Sequence, residues 1–568
     1  MDAIAEDAPV FRLRGWIAIL ATIMVGAGFA IFIATIREGR TSPTSVSGEW
    51  LTAFGVTLAL MMGWSIAGTT LISFTARRRL DNVASRHVWT HLPLLIPTGL
   101  AVAAYQSDEV NHVLTQSAQI QWLWGLALGS WVVGQALWLP AGLDNQPILV
   151  LRLLKSGLRT IGASAFTRLT FGLIFVQFVL FRSLLAIFWQ PIGFFERGSD
   201  VGSYEQRARL VMQGLYPYLD YWVEYPPLFP WLASGLKLLS STFGGSDAAF
   251  QLIFSFTMLP FEAGTLWLIY AIGHRVWDEP RGLMAALTYA LLFYPAYIAN
   301  RHFESIPVFF LLLGTYLIIM NRRHFASLAL ALGILTKLFP LAGFPALMAS
   351  QSSLGRVRLL GLGGLAVAGG IIPFFLVSQE YVVASIQNMM LRPGWETIWA
   401  LADGYFSFGW VHRDRLNPDT AIAFNYTPDI PSYVWWGSVT VVAVIYGYIA
   451  LRPVTSTAKS TVWGTGLAIV TFALFLRGWS PQFTVWVLPF VVLAYPGGRG
   501  FLLASILSTV ALLESPGFFY LWSDQPLALW AIVIIRTTLF IAIGSMFARR
   551  LLALSRKPID HSNARTHV

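Results

Sequence analysis

The sequence predicts an all-α protein whose helices cross a membrane many times. Three observations lead there. Of 568 residues, 56% are hydrophobic and only 12% are charged, about half the charged share of a soluble domain. The mean hydropathy is +0.63. Apolar stretches near the ~20 residues that a bilayer requires recur along the chain, with basic residues in the short gaps between them. So few charges cannot coat the surfaces of the several soluble domains this length would otherwise form. Cysteine is absent, which excludes disulfides and thiolate metal sites. The net charge of +10 does not mark a nucleic-acid surface, because no basic run exceeds Arg77-Arg78-Arg79.

The expected spans 15–35, 51–74, 89–105 and 122–143 form a four-span N-terminal extension over 1–145. The first follows Arg12 and Arg14 and resembles a signal anchor, being too long for a typical signal-peptide core. Further spans are expected at 168–190, 248–272, 282–299, 304–320, 357–378, 433–450, 461–476, 483–496, 499–513 and 526–547. This makes about 13–15 crossings. The stretch 325–349 carries Lys337 in its middle, with Pro340 and Pro345 just after. It reads as a re-entrant hairpin of two half-membrane helices. Non-helical backbone at that depth is tolerated only where protein or a wet cavity satisfies it.

Lys and Arg placement sets the orientation. With the N-terminus inside and the hairpin returning to its own side, 24 of the 38 basic residues fall on inside segments. Acidic residues do the reverse, with 19 of 28 outside. Both termini are therefore expected in the cytoplasm, including a basic tail that ends a C-terminal section, 501–568. The expected setting is the plasma or inner membrane, with the polar chemistry on the outer face. Two loops are long, 191–247 and 379–432, and both fall outside; long ordered loops in a tight chain are usually functional. Inside loops hold no GxxxxGK[ST] and no strand-linked GxGxxG, so nothing there suggests nucleotide binding. No internal repeat is visible.

The first outer loop is the most informative segment. In 203–213, Tyr204, Ala208 and Val211 share one face, which suits a helix lying in the interface. Gly214 is placed to end it. Pro226 and Pro227 suit the first turn of a helix over 228–240. Asp200, Glu205, Asp220 and Glu224 are thus held near the membrane surface. Glu205 reads best as a solvated carboxylate; Asp220 and Glu224 read equally as loop acids or site residues.

The order Asp200, Tyr204, Gly214, Tyr216-Pro217-Tyr218, Asp220 and Glu224-Tyr225-Pro226-Pro227-Leu228 resembles the first luminal loop of the GT-C glycosyltransferases. More narrowly it is similar to family 87, the polyprenyl-phosphate-mannose-dependent mannosyltransferases and their relatives. Thr336-Lys337-Leu338-Phe339-Pro340 resembles that family's KLFP-like element. Ser480-Pro481-Gln482-Phe483-Thr484-Val485-Trp486-Val487-Leu488-Pro489 is similar to its SPQY-x-x-W-x-x-P element, with Phe483 for Tyr. Relatives often carry Gly-Gln-x-Asp where this chain has Asn300-Arg301-His302-Phe303-Glu304, Glu304 standing for the Asp. The resemblance covers about 166–500 and defines a catalytic module over 146–500.

The resemblance implies a GT-C helical bundle and inverting transfer of one sugar, a mannose-like hexose or a pentose. The donor would be a polyprenyl-phosphate sugar, the acceptor a lipid-linked or cell-envelope glycan, and nucleic acid is not an expected partner. Such a reaction needs a carboxylate to take the acceptor's proton, for which Asp200 is the candidate. The departing phosphate needs nearby positive charge, for which Lys337, Arg301 and Arg477 are candidates. Lys337 carries the strongest physical argument, since a lysine within an apolar segment costs on the order of 2.5–3.5 kcal/mol even on the mildest scale. Tyr204, Tyr218, Asp220, Glu224, Tyr225, His302, Glu304 and Gln482 complete the expected substrate site. Asp200 with Asp220 or Glu224 could form an oxygen site for a divalent ion, but no cofactor or essential metal is expected. Arg182 and Arg536 lie within spans and need partners, and Glu262 is a candidate for one of them. Trp395, Trp399, Tyr405, Phe406 and Trp410 suit sugar stacking or an interface belt equally. Two rivals stand beside this reading: a transporter or lipid flippase, and a polymerase or ligase of lipid-linked glycans.

Overall fold

A computed structural model describes residues 163–188, 199–349, 351–430, 432–452, 458–519 and 523–555. The four expected spans over 1–145 lie outside the described residues. The chain divides into two compact units, Met1–Arg197 and Gly198–Val568. Within the first, α1 (Ala163–Phe188) is one apolar helix. Its Arg182 is buried, with the guanidinium 4.6 Å from the Phe178 ring centroid.

The second unit is all helical among the described residues. Its elements are α2 (Val201–Ala208), continued by a 3-10 turn Arg209–Gln213, α3 (Leu228–Ser241), α4 (Asp247–Val276), α5 (Glu279–Leu291) and α6 (Phe293–Ala299). Then come α7 (Ser305–Ile319), α8 (Arg323–Ile334), a 3-10 turn Phe339–Gly343, α9 (Phe344–Met348), α10 (Ser353–Val377), α11 (Gln379–Leu391) and α12 (Ile398–Ala402). The last are α13 (Ser432–Leu451), α14 (Ala458–Phe475), α15 (Thr484–Ala494), α16 (Gly498–Leu512) and α17 (Pro526–Ser555). Among the described residues six helical segments, at α4, α10, α13, α14, α16 and α17, are long and apolar enough to cross a membrane. The chain is an all-α polytopic membrane protein. Helix α14 lies in the interior of its bundle, whereas α10 turns most of its apolar surface outward, where lipid would cover it.

The span read over 282–299 is two helices. Leu292 is extended at φ −69° and ψ 126°. Pro295 explains the break, because its ring would collide with the carbonyl of Leu291 in a continuous helix. Helices α4 and α5 approach closely: a Cβ on Gly273 would sit 2.8 Å from the Cα of Gly282.

The hairpin is present. Arg323, at the start of α8, donates through Nη1 to the carbonyls of Ala349 (3.2 Å) and Leu347 (3.4 Å), just past and at the end of α9. The two ends of 323–349 therefore meet. The arms pack so tightly that a Cβ on Gly333 would lie 2.9 Å from Pro340. At the tip, the Leu335 carbonyl accepts from the Leu228 amide at 2.9 Å, which fastens α3 of the first outer loop to the hairpin.

The first outer loop folds largely as its pattern predicts. Tyr204, Ala208 and Val211 are buried, and Gly214 closes the helix at φ 76°. Pro227 stands at the N-cap of α3 rather than inside its first turn. The two outer loops are stitched together. Trp222 donates its amide to the Arg415 carbonyl (3.1 Å) and its Nε1 to the Asn417 carbonyl (3.1 Å). The Val223 amide donates to Ser385 Oγ at 3.0 Å, and Ser378 Oγ donates to the Leu219 carbonyl at 2.8 Å.

Candidate functional site

Asp200 is the N-cap residue of α2, but its carboxylate caps no amide of that helix. A backbone bond from its amide to the Arg301 carbonyl (3.2 Å) ties it to the loop before α7. Its Oδ2 accepts from the Tyr204 hydroxyl (3.2 Å) and from Gln482 Nε2 (3.4 Å), and lies 3.5 Å from His302 Nε2. Three segments far apart in sequence thus meet at one carboxylate oxygen, and the Asp200 side chain remains 39% exposed.

Tyr204 is held in an aromatic box, edge-on to Tyr225, Phe229 and Phe303 at centroid distances of 6.0, 4.8 and 5.6 Å. Burial, and then the Asp200 charge, raise its hydroxyl well above the ordinary tyrosine value, so it donates and does not ionise. His302 is buried, and that burial pushes its imidazole down to about 4 despite the opposing pull of Asp200. At neutral pH its contact with Asp200 is therefore not an ion pair.

Behind this front lies a second layer. Lys337, at the hairpin tip, pairs with Glu304 Oε1. Trp486 Nε1 donates to the other oxygen of Glu304 at 2.6 Å. The ammonium is ringed by Phe483, Phe303, Trp486 and Tyr225 at 4.3, 5.0, 5.5 and 5.8 Å. Lys337 is thus internally paired, and its charge is matched by a carboxylate rather than left open. Arg301 is buried, its guanidinium 4.7 Å from the Tyr297 ring and donating to that hydroxyl at 3.3 Å.

The other expected residues have different duties. Tyr218 has φ 68° and donates its hydroxyl to the Tyr225 carbonyl at 2.6 Å, fixing the loop. Asp220 accepts from the Tyr216 amide at 2.8 Å, a local turn bond. Arg477 donates to the Leu391 carbonyl at 3.3 Å and lies 4.6 Å from the Trp435 ring, so its contacts do not include the Asp200 cluster. Glu224 is buried between Arg207 (2.5 Å) and Arg415 (2.9 Å). Burial alone would raise its carboxyl; the two guanidiniums overcome that and hold it at about 2. Among the described residues no group of three or more His, Asp or Glu is arranged to hold a metal ion.

Several charged groups escaped sequence reasoning. Glu205 is not solvated but buried, accepting from Lys237 Nζ at 2.6 Å and from Arg209 Nη2 at 3.2 Å. Arg536 pairs with Glu514 and donates to the Glu396 carbonyl at 2.5 Å. Glu262 accepts from Ser305 Oγ at 2.7 Å. Arg207, Arg392 and Arg415 carried no motif. The nearest signal was their position in the two long outer loops. Of the aromatic cluster, Trp395 donates to Ser480 Oγ at 2.9 Å and Tyr405 stacks on Tyr426 at 4.1 Å, so both help to build the loop itself.

No family model matches the chain. A segment of 127 residues, 22% of this chain, is 35% identical to an uncharacterized protein of Aquifex aeolicus (strain VF5). The match spans 29% of that protein's length.

Proposed function

We propose that the protein is a GT-C-type membrane glycosyltransferase, resembling family 87. It moves one mannose-like hexose or pentose from a polyprenyl-phosphate donor to a lipid-linked or cell-envelope acceptor. The reaction takes place on the outer face of the plasma or inner membrane, with both termini cytoplasmic. The observation that carries the reading is the convergence on Asp200 Oδ2 of Tyr204, His302 and Gln482, with the carboxylate still open to solvent. In an inverting transfer the acceptor oxygen attacks the anomeric carbon, its proton passes to Asp200, and the bond from that carbon to the phosphate oxygen breaks. Tyr204 and Gln482 donate to the carboxylate and fix its orientation, which favours an aimed base over a mobile one.

The test is transfer from a polyprenyl-phosphate sugar by the purified protein in detergent. Loss of a general base lowers turnover by roughly 10²–10⁴-fold. Asp200→Asn should show that loss with an unchanged elution profile. Near-wild-type transfer by a folded Asp200→Asn protein would sink the assignment. Uptake of substrate into proteoliposomes without a new glycosidic bond would favour a transporter instead.

A further inference from the structure

Charge counting around Glu224 exposes an imbalance. One carboxylate faces three guanidiniums from separate elements: Arg207 on α2, Arg392 at the C-terminal end of α11, and Arg415 in the second outer loop. Arg207 and Arg415 share Glu224 as their ion-pair partner. Arg392 makes no ion pair among the described residues. Its guanidinium carbon lies 4.1 Å from the Trp395 ring centroid, and its Nε is buried without a hydrogen bond. Burial lowers both Arg392 and Arg415 from the ordinary arginine value despite the opposing pull of Glu224, whereas Arg207 is raised, the pull of Glu224 and its neighbours exceeding its burial. The cluster adjoins the proposed base: Trp395 donates to Ser480, two residues before Gln482, which itself touches Asp200.

We infer that Arg207, Arg392 and Arg415, organised by Glu224, seat the phosphate of the lipid-linked substrate. Guanidinium forks match phosphate oxygens in geometry and charge. The count closes at both ends of the reaction. Three arginines, Glu224, ionised Asp200 and a phosphodiester sum to zero. After transfer Asp200 holds the proton and is neutral, the leaving lipid phosphate carries one more negative charge, and the sum is again zero. Proton uptake by Asp200 thus releases one unit of positive charge as the leaving group needs it. Lys337 takes no part in this balance, because Glu304 neutralises it. The inference rests on the glycosyltransferase reading for the identity of the ligand, but not for its test.

The experiment measures binding to the full-length protein in detergent, without turnover. The probes are a short-chain prenyl monophosphate, the corresponding alcohol and inorganic phosphate, titrated by calorimetry. The prenyl monophosphate should bind, the alcohol should bind at least tenfold more weakly, and Arg392→Gln and Arg415→Gln should each weaken monophosphate binding at least tenfold. Asp200→Asn should strengthen it several-fold, since it mimics the protonated base. Arg392 forms no ion pair, so Arg392→Gln should keep its elution profile even if Arg415→Gln does not. Monophosphate affinity within twofold of wild type in folded Arg392→Gln would overturn the inference. Inorganic phosphate binding as tightly as the prenyl phosphate would refute a lipid ligand. If the protein transfers no sugar yet shows these losses, the enzyme reading fails and the phosphate seat stands.

Discussion

The Glu304–Lys337 pair gives the sharpest test of how the hairpin is held. Glu304 is buried, its oxygens taken by Lys337 Nζ and Trp486 Nε1. Glu304→Gln keeps the shape and leaves the ammonium buried without a counter-charge. Breaking one side of such a pair costs about 3–5 kcal/mol. The four rings around the ammonium offset part of this, roughly 1–2 kcal/mol, by cation–π attraction. The net loss should be about 1–4 kcal/mol. Lys337→Met should cost a similar amount by stranding the carboxylate. Glu304→Gln combined with Lys337→Met removes both charges and should recover most of the loss, a coupling of about 2 kcal/mol or more. The assay is the monodisperse fraction left after heating in detergent, read by size-exclusion chromatography. Each single variant should lower the apparent midpoint by several degrees, and the double variant should lie closer to wild type. A double variant showing the sum of the two single losses would refute the reasoning, because the charges would then not be each other's partners.

Three further outcomes follow from the geometry. Glu224 falls from an ordinary value of 4.5 to about 2, so its ion pairs contribute about 3 kcal/mol that is present above pH 4.5 and lost as pH falls towards 2; Glu224→Gln should flatten that limb of an acid-stability curve. His302 falls from 6.5 to about 4, so folding excludes a proton that the unfolded chain accepts, and stability should fall as pH drops from 6.5 towards 4. His302→Gln should remove that slope, as read by midpoint against pH. Because the chain contains no cysteine, single cysteines report topology cleanly: His324→Cys and Ser353→Cys, flanking the hairpin, should label from the same side of the membrane and Phe408→Cys from the other. Opposite-side labelling of His324→Cys and Ser353→Cys would make 325–349 a full crossing.

What the sequence reveals here is what local pattern encodes. Apolar length marks the spans, the spacing of Tyr204, Ala208 and Val211 marks the buried face of α2 and the 3-10 turn that continues it, and Lys337 with two prolines marks the hairpin. The helix break at Leu292 is also local in origin, carried by Pro295, yet a continuous apolar run masks it. Charge pairing across loops is different. Glu205 looks solvated because its partner Lys237 sits on the next helix, and Glu224 looks ambiguous because Arg415 arrives from the other outer loop. Such pairings depend on which loops dock, and docking here runs through Trp222 and Ser385, neither of which belongs to a charged motif.

The docked loops also explain why one carboxylate differs from its neighbours. Four acids lie within the first outer loop's informative stretch. Glu205 is matched by Lys237 and Arg209, Glu224 by Arg207 and Arg415, and Asp220 is committed to a turn amide. Asp200 has no Lys or Arg within ion-pair distance among the described residues; its neighbours are a hydroxyl, an amide and an uncharged imidazole. A carboxylate locked to a guanidinium is a poor proton acceptor, since the cation favours its ionised form. A carboxylate held by neutral donors keeps its orientation without being tied to a fixed cation. In the proposed reaction its partial exposure is what lets an acceptor hydroxyl approach and the proton leave afterwards. The Arg415–Glu224 salt bridge joins the two loops, and in the proposed reaction the guanidiniums paired with Glu224 are distinct from the carboxylate that takes the proton.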